Sequence, residues 1–64
     1  MPSGKYTVRG SHVVITPDTE VGDGTVIWDF VNLWGCRIGR NCRIGSFVEI
    51  GRGVVIGDNC KIEA

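Results

Sequence analysis

Ile38-Gly39-Arg40-Asn41-Cys42-Arg43-Ile44-Gly45-Ser46-Phe47-Val48-Glu49-Ile50-Gly51-Arg52-Gly53-Val54-Val55-Ile56-Gly57 places an isoleucine at every sixth position, each followed by glycine. The beat continues outward, through Leu33, Ile27, Val21 and Ile15 on one side and Ile62 on the other. A period of six fits neither the 3.6-residue turn of a helix nor the two-residue alternation of a strand meander. It is the period of parallel β-helices, in which one repeat cannot bury its apolar face alone and must stack on its neighbours.

Two further positions keep the same phase. Four residues after each anchor stand Thr19, Thr25, Val31, Cys42, Val48, Val54 and Cys60, all small or β-branched, and Cys36 takes that place in a hexad one residue short. Three residues after each anchor stand Asp18, Gly24, Phe30, Asn41, Phe47, Gly53 and Asn59. Gly, Asn and Asp tolerate the left-handed backbone of a tight corner best. A large inward residue, a corner and a small inward residue therefore repeat together, which predicts a left-handed parallel β-helix, all-β, of fewer than three coils. Three hexads make a coil, so residues about eighteen apart stack at the ~4.8 Å strand spacing. The expected interior columns are Ile15-Leu33-Ile50, Val21-Ile38-Ile56 and Ile27-Ile44-Ile62. Leu33 to Ile38 is one residue short, so a corner near Trp34-Gly35 must tighten.

Residues 1–14 precede the clear repeat and are expected to cap the N-terminal end, with Tyr6, Val8, Val13 and Val14 as the apolar contacts. Residues 15–64 are the coils. They stop two residues into a hexad, and repeat arrays need capping units at both ends, so the chain reads as the N-terminal portion of a longer β-helix.

Seven basic and seven acidic side chains balance, so nothing steers the chain to nucleic acid or an anionic membrane. No apolar run approaches the ~18 residues of a spanning helix, and no signal-peptide core is visible; a cytoplasmic location is the default. Cys36, Cys42 and Cys60 all fall on the small inward position, where a thiol behaves as an apolar residue. They lack zinc spacing and a histidine companion, so no metal is expected. His12, the single histidine, precedes the first coil and reads as part of the cap rather than as a general base. Gly22-Asp23-Gly24 and Gly51-Arg52-Gly53 open no helix, so they are corner glycines and not a dinucleotide loop. Asp23, Arg40 and Asp58 alternate in sign along one corner, and Glu20 lies beside Arg37. Outward Val26 and Val55, with Phe30 stacked on Phe47, point to a subunit interface.

The segment Ile27-Trp28-Asp29-Phe30-Val31-Asn32-Leu33-Trp34-Gly35-Cys36 departs most from a plain repeat. Two tryptophans stand where glycine usually follows the anchor. Aromatic and polar groups together can form a sugar- or base-binding wall, or they can seal a subunit interface; the interface is the favoured reading.

Val21-Gly22-x-Gly24-Thr25-x-Ile27-Trp28-x-Phe30-Val31, followed by Leu33-Trp34-Gly35-Cys36-Arg37-Ile38-Gly39, resembles the N-terminal coils of bacterial nucleotide-sugar acetyltransferases. These are left-handed β-helix trimers that N-acetylate UDP-3-amino-uronic acids or dTDP-amino-hexoses for surface polysaccharide. The resemblance implies acetyl transfer from acetyl-CoA to a sugar amine, at sites between adjacent subunits of a homotrimer. It assigns the catalytic and most CoA-contacting residues to later coils, so no catalytic residue is carried over and acetyl-CoA is not expected to bind these 64 residues alone. Trp28, Asp29 and Asn32 are the expected substrate-side contacts. A non-catalytic β-helical assembly module is the competing expectation. A γ-class carbonic anhydrase would need more histidines, and an ice-binding helix would need outward threonines.

Overall fold

The computed structural model describes residues 4–64, so Met1 to Ser3 of the expected capping segment lie outside the described residues. Ten two-residue strands wind into three parallel sheets. Sheet A stacks β1 (Thr7–Val8), β4 (Val26–Ile27), β7 (Arg43–Ile44) and β10 (Lys61–Ile62). Sheet B stacks β2 (Val14–Ile15), β5 (Asn32–Leu33) and β8 (Glu49–Ile50). Sheet C stacks β3 (Glu20–Val21), β6 (Arg37–Ile38) and β9 (Val55–Ile56). The result is a parallel β-solenoid of about three turns, in agreement with the left-handed parallel β-helix that the hexads predict.

Register follows the expected columns. Ile15 pairs with Leu33 and Leu33 with Ile50; Val21 with Ile38 and Ile38 with Ile56; Ile27 with Ile44 and Ile44 with Ile62. The second residue of each strand points inward and the first outward, as pleating requires. Ile27, Leu33 and Ile44 are fully enclosed, and Val21, Val31, Cys36, Ile38 and Cys42 are buried with them. Each such aliphatic side chain contributes about 1.5–3 kcal/mol relative to exposure. Thr19 and Thr25 take the same inward position without an unmet polar group. The Thr25 hydroxyl donates to the Gly39 carbonyl at 2.7 Å and accepts the Cys42 N–H at 3.1 Å.

Part of the segment before Ile15 continues the solenoid. Strand β1 pairs with β4, Val8 opposite Ile27, and so adds a rung to sheet A. Val8 to Ile15 is seven residues rather than six, which takes this rung out of phase with the sequence repeat.

The corners differ in chemistry. Between sheets C and A the left-handed positions are Gly24, Asn41 and Asn59, and between B and C they are Gly35 and Gly53. Gly35, at φ 78°, closes the shortened hexad. Between A and B they are His12, Phe30 and Phe47, with φ of 59°, 57° and 63°. A bulky residue there costs roughly 1–2 kcal/mol. The rings offset part of that by stacking: His12 on Phe30 at 5.0 Å and Phe30 on Phe47 at 5.1 Å, nearly parallel. The expected Phe30–Phe47 stack is present, and His12 extends it.

Three aspartates brace the corners in one way. Asp23 accepts the Lys5 N–H at 2.6 Å, Asp29 the Ser11 N–H at 2.8 Å and Asp58 the Arg40 N–H at 2.8 Å, each from the preceding rung. A glycine precedes each donor because a Cβ at Gly4, Gly10 or Gly39 would strike the aspartate below. Asp58 therefore meets Arg40 through its backbone amide. The expected Glu20–Arg37 pair forms at 3.4 Å.

Candidate functional site

Sheet A carries a cleft on its outer face. Its outward column reads Thr7, Val26, Arg43 and Lys61, and the column one residue further along reads Arg9, Trp28, Gly45 and Glu63. Gly45 has no side chain to stand beside Trp28 on the next rung. An open cleft of about 250 Å³ results, lined by Trp28, Arg43, Gly45, Lys61, Ile62 and Glu63. From the preceding rung the Arg9 guanidinium lies 6.0 Å over the Trp28 ring, at the outer limit of cation–π attraction. Lys61 Nζ stands 3.1 Å from Glu63 Oε2, and both side chains are largely exposed.

Trp34 has the same relation to Gly51 on sheet B as Trp28 has to Gly45 on sheet A, with a different outcome. The Trp34 ring covers Gly51 so closely that a Cβ there would lie 2.7 Å from the ring. Its indole N–H donates to Glu49 Oε2 at 3.0 Å. The second tryptophan is thereby fixed along the wall.

The three expected substrate contacts lie around the A–B corner. Trp28 follows sheet A and lines the cleft. Asn32 opens β5 on sheet B and is exposed. Asp29 lies between them, holds Ser11 with its carboxylate and accepts the Phe47 N–H at its carbonyl. Only Trp28 of the three lines the cleft, and the cations that join it there, Arg43 and Lys61, were not among the expected contacts. The sequence does hold a signal for them: counted by coil, Gly45 and Arg43 fall one rung beyond Trp28 and Val26.

A second cleft, about 210 Å³, sits at the B–C corner among Asp18, Glu20, Gly35, Cys36, Arg37 and Val55. Its charges are met internally, Glu20 by Arg37 at 3.4 Å and Asp18 by Arg52 at 3.8 Å. Burial pushes the Cys36 thiol above its ordinary range, which keeps it protonated and disfavours nucleophilic use. The Thr16 hydroxyl, donating to Asp18 at 2.6 Å, lowers that carboxyl. All three cysteines are free. His12 Nδ1 lies 3.1 Å from the Ser11 hydroxyl, with its ring in the aromatic stack. Among the described residues no group of three His, Cys, Asp or Glu could hold a metal ion, and no helix is long and apolar enough to cross a membrane.

Residues 35–64 match the family described as bacterial transferase hexapeptide (six repeats). The matched stretch runs from the tightened corner through β10 and covers the later coils of the solenoid. The fold is a parallel β-helix built on hexapeptide repeats. No curated protein and no solved structure matches it.

Proposed function

We propose that these coils belong to an acetyl-CoA-dependent acetyltransferase that N-acetylates an amino group of a nucleotide-linked sugar for surface polysaccharide, working as a cytoplasmic homotrimer. The observation that carries the reading is the transferase-type hexapeptide match over residues 35–64. It continues in phase from the Ile27-Trp28-x-Phe30-Val31 signature that resembles the nucleotide-sugar acetyltransferases. In this reading the described coils supply assembly surface and a substrate-side wall around Trp28, Asp29 and Asn32. No side chain here is assigned as general base; the resemblance assigns the acyl-transfer groups to later coils of that family.

The full product of the encoding gene, given acetyl-CoA and a UDP- or dTDP-linked amino sugar, should release free coenzyme A thiol in proportion to the amino sugar. The 64 residues alone should release none. No release by the full product, with substrate amine left intact by mass spectrometry, rejects the enzymatic reading.

The alternative, a non-catalytic β-helical assembly module, draws on the apolar ridge at the A–B corner. Phe30 is 48% and Phe47 71% exposed, and Val55 is 69% exposed on sheet C. Such residues outside a solenoid favour association. Phe47→Asn keeps a residue suited to the left-handed corner while removing the ring. By light scattering the native chain should be a discrete trimer, and this variant should dissociate with its β-sheet circular dichroism unchanged. A native chain that runs as a stable monomer sinks both the trimer and the assembly module.

A further inference from the structure

Two of the three cysteines stand in register. Arg43 pairs with Lys61, and the Arg43 N–H donates to the Cys60 carbonyl at 2.9 Å, which sets Cys42 over Cys60 on the next rung. Neighbouring rungs lie ~4.8 Å apart, within the ~4.4–6.8 Å between α-carbons that a disulfide spans. Side chains at this inward position reach toward the following rung. Thr25, one coil earlier in the same column, donates its hydroxyl to the Gly39 carbonyl and accepts the Cys42 N–H. The Cys42 thiol repeats the first of these contacts, with Sγ 3.0 Å from the Gly57 carbonyl of the Cys60 rung. Its sulfur therefore lies on the side of its rung that faces Cys60.

We propose that Cys42 and Cys60 form a redox-active dithiol, a modification site at which a small-molecule disulfide closes a covalent link between two rungs. Both thiols are free in this structure. Cys42 is enclosed, whereas Cys60 is half-buried and its thiol lies in an exposed contact with the Asp58 carbonyl at 3.6 Å. Reaction therefore begins at Cys60. Its thiolate attacks the small disulfide, one small thiol leaves, and a mixed disulfide remains on Cys60. The Cys42 thiolate then attacks Cys60 Sγ, the bond from that sulfur to the small molecule breaks, and the second small thiol leaves. Two protein thiols are oxidised to one disulfide, the small disulfide is reduced to two thiols, and the two protein protons end on those thiols. The product ties the rung of β10 to the rung of β7.

Cys36 supplies the contrast within the same chain. It holds the same inward position at the B–C corner, but its neighbours in register are Thr19 and Val54, and neither carries sulfur. Burial also raises its thiol above the ordinary range, which keeps the reactive thiolate scarce. In a reducing compartment the Cys42–Cys60 pair rests as two thiols and closes under oxidative load, the pattern of a redox-sensing rather than a structural disulfide. Closure needs neither acetyl transfer nor a trimer, so it stands or falls apart from both.

The test is oxidation of the folded 64-residue chain with oxidised glutathione, read by intact mass and by peptide mapping after alkylation of the remaining thiols. The native chain should lose two hydrogens, keep an alkylatable thiol at Cys36 and yield a cross-linked Cys42–Cys60 peptide. Cys42→Ser should stop at one glutathione on Cys60, Cys60→Ser should leave Cys42 unmodified, and Cys36→Ser should cross-link as the native chain does. Serine keeps the small inward side chain with a hydroxyl that Thr25 already places in this column, and circular dichroism checks that each variant folds. The mapping of the native chain decides the matter even where a variant does not. The cross-linked chain should also unfold at a higher urea concentration than the reduced chain, reversibly with dithiothreitol, because the bond restricts the unfolded state. A native chain that stays reduced, that holds glutathione on Cys60 without closing the link, that links Cys36 or a second chain instead, or that closes only once urea has unfolded it, overturns the proposal.

Discussion

Trp28 and Trp34 hold equivalent places on successive sheets, each directly after a buried anchor and each with a glycine one coil later. Their exposures are almost equal, 37% and 38%. Their surroundings are not. Trp34 lies over Gly51 and has its N–H bonded to a carboxylate, so its face and its polar handle are both taken. Trp28 has Arg9 above it and an open cleft beyond Gly45. The outward residue beside each glycine makes the difference: Glu49 accepts from an indole, whereas Arg43 has no acceptor to offer one. One sequence device thus yields a sealed wall on sheet B and a vacant recess on sheet A, and exposure alone would not distinguish them.

The sharpest way to break this contrast is to add one methyl group to each glycine. At Gly51 the new Cβ would lie 2.7 Å from Trp34, so Gly51→Ala must drive the ring off its seat and strain the bond to Glu49. Overpacking of this kind costs about 1–3 kcal/mol. At Gly45 the nearest atom is the Ile62 carbonyl oxygen at 3.2 Å, which a small shift relieves. Neither glycine has a positive φ, so alanine also narrows the unfolded ensemble, and Gly45→Ala should stay within about 1 kcal/mol of the parent. Urea midpoints of the two variants measure the gap. Equal losses would mean that Trp34 is no more tightly seated than Trp28.

Removing the rings themselves should give a smaller difference. Trp34→Ala uncovers Gly51 and returns the exposed Glu49 carboxylate to water, for a loss of about 2 kcal/mol from half-buried aromatic area. Trp28→Ala gives up the face toward Arg9 and little else within the fold, for about 1 kcal/mol. The same denaturation series reads both. A Trp28 variant that falls further than the Trp34 variant would assign Trp28 to holding the solenoid together rather than to lining a cleft.

The solenoid itself was legible because its determinants are local and periodic. Ile15, Leu33 and Ile50 fall into one column by counting alone, and the short step from Leu33 to Ile38 marks the tight corner at Gly35. The rung formed by β1 was hidden because the seven-residue step from Val8 to Ile15 breaks the count. For the same reason His12 read as part of a cap, although it sits in the left-handed corner position above Phe30. Asp29 looked like an outward polar contact because the glycine-X pair it braces, Gly10-Ser11, lies eighteen residues upstream of it. The cleft was only half legible. Register could place Arg43 and Lys61 on the face of Trp28, but whether a tryptophan covers its glycine depends on a rotamer and a hydrogen bond that no repeat encodes.

The smallest expected effect separates the two walls by pH. At the sealed one, Thr16 donates to Asp18 at 2.6 Å and the Gly35 N–H approaches Thr16 and Thr19 at 3.2 and 2.8 Å, tying Asp18 to the tightened corner beside Trp34. The Thr16 hydrogen bond, helped by Arg52, holds the Asp18 carboxyl below its usual 3.8, against a smaller upward push from burial. A carboxyl lowered in the folded state binds its proton more readily in the unfolded chain. Its stabilisation is therefore fully present above the unfolded value of about 3.9, and it is lost as the pH falls through the lower folded value. Thermal midpoints should be unaffected by this group between pH 5 and 8 and should decline below about 4. Asp18→Asn should remove part of that decline and lower the neutral-pH midpoint by a matching amount, which is small because the group is exposed and its contacts are screened. An identical acid decline in Asp18→Asn would show that the Thr16–Asp18 bond does not brace the corner of Trp34, and that Gly51 and Glu49 alone keep that tryptophan in place.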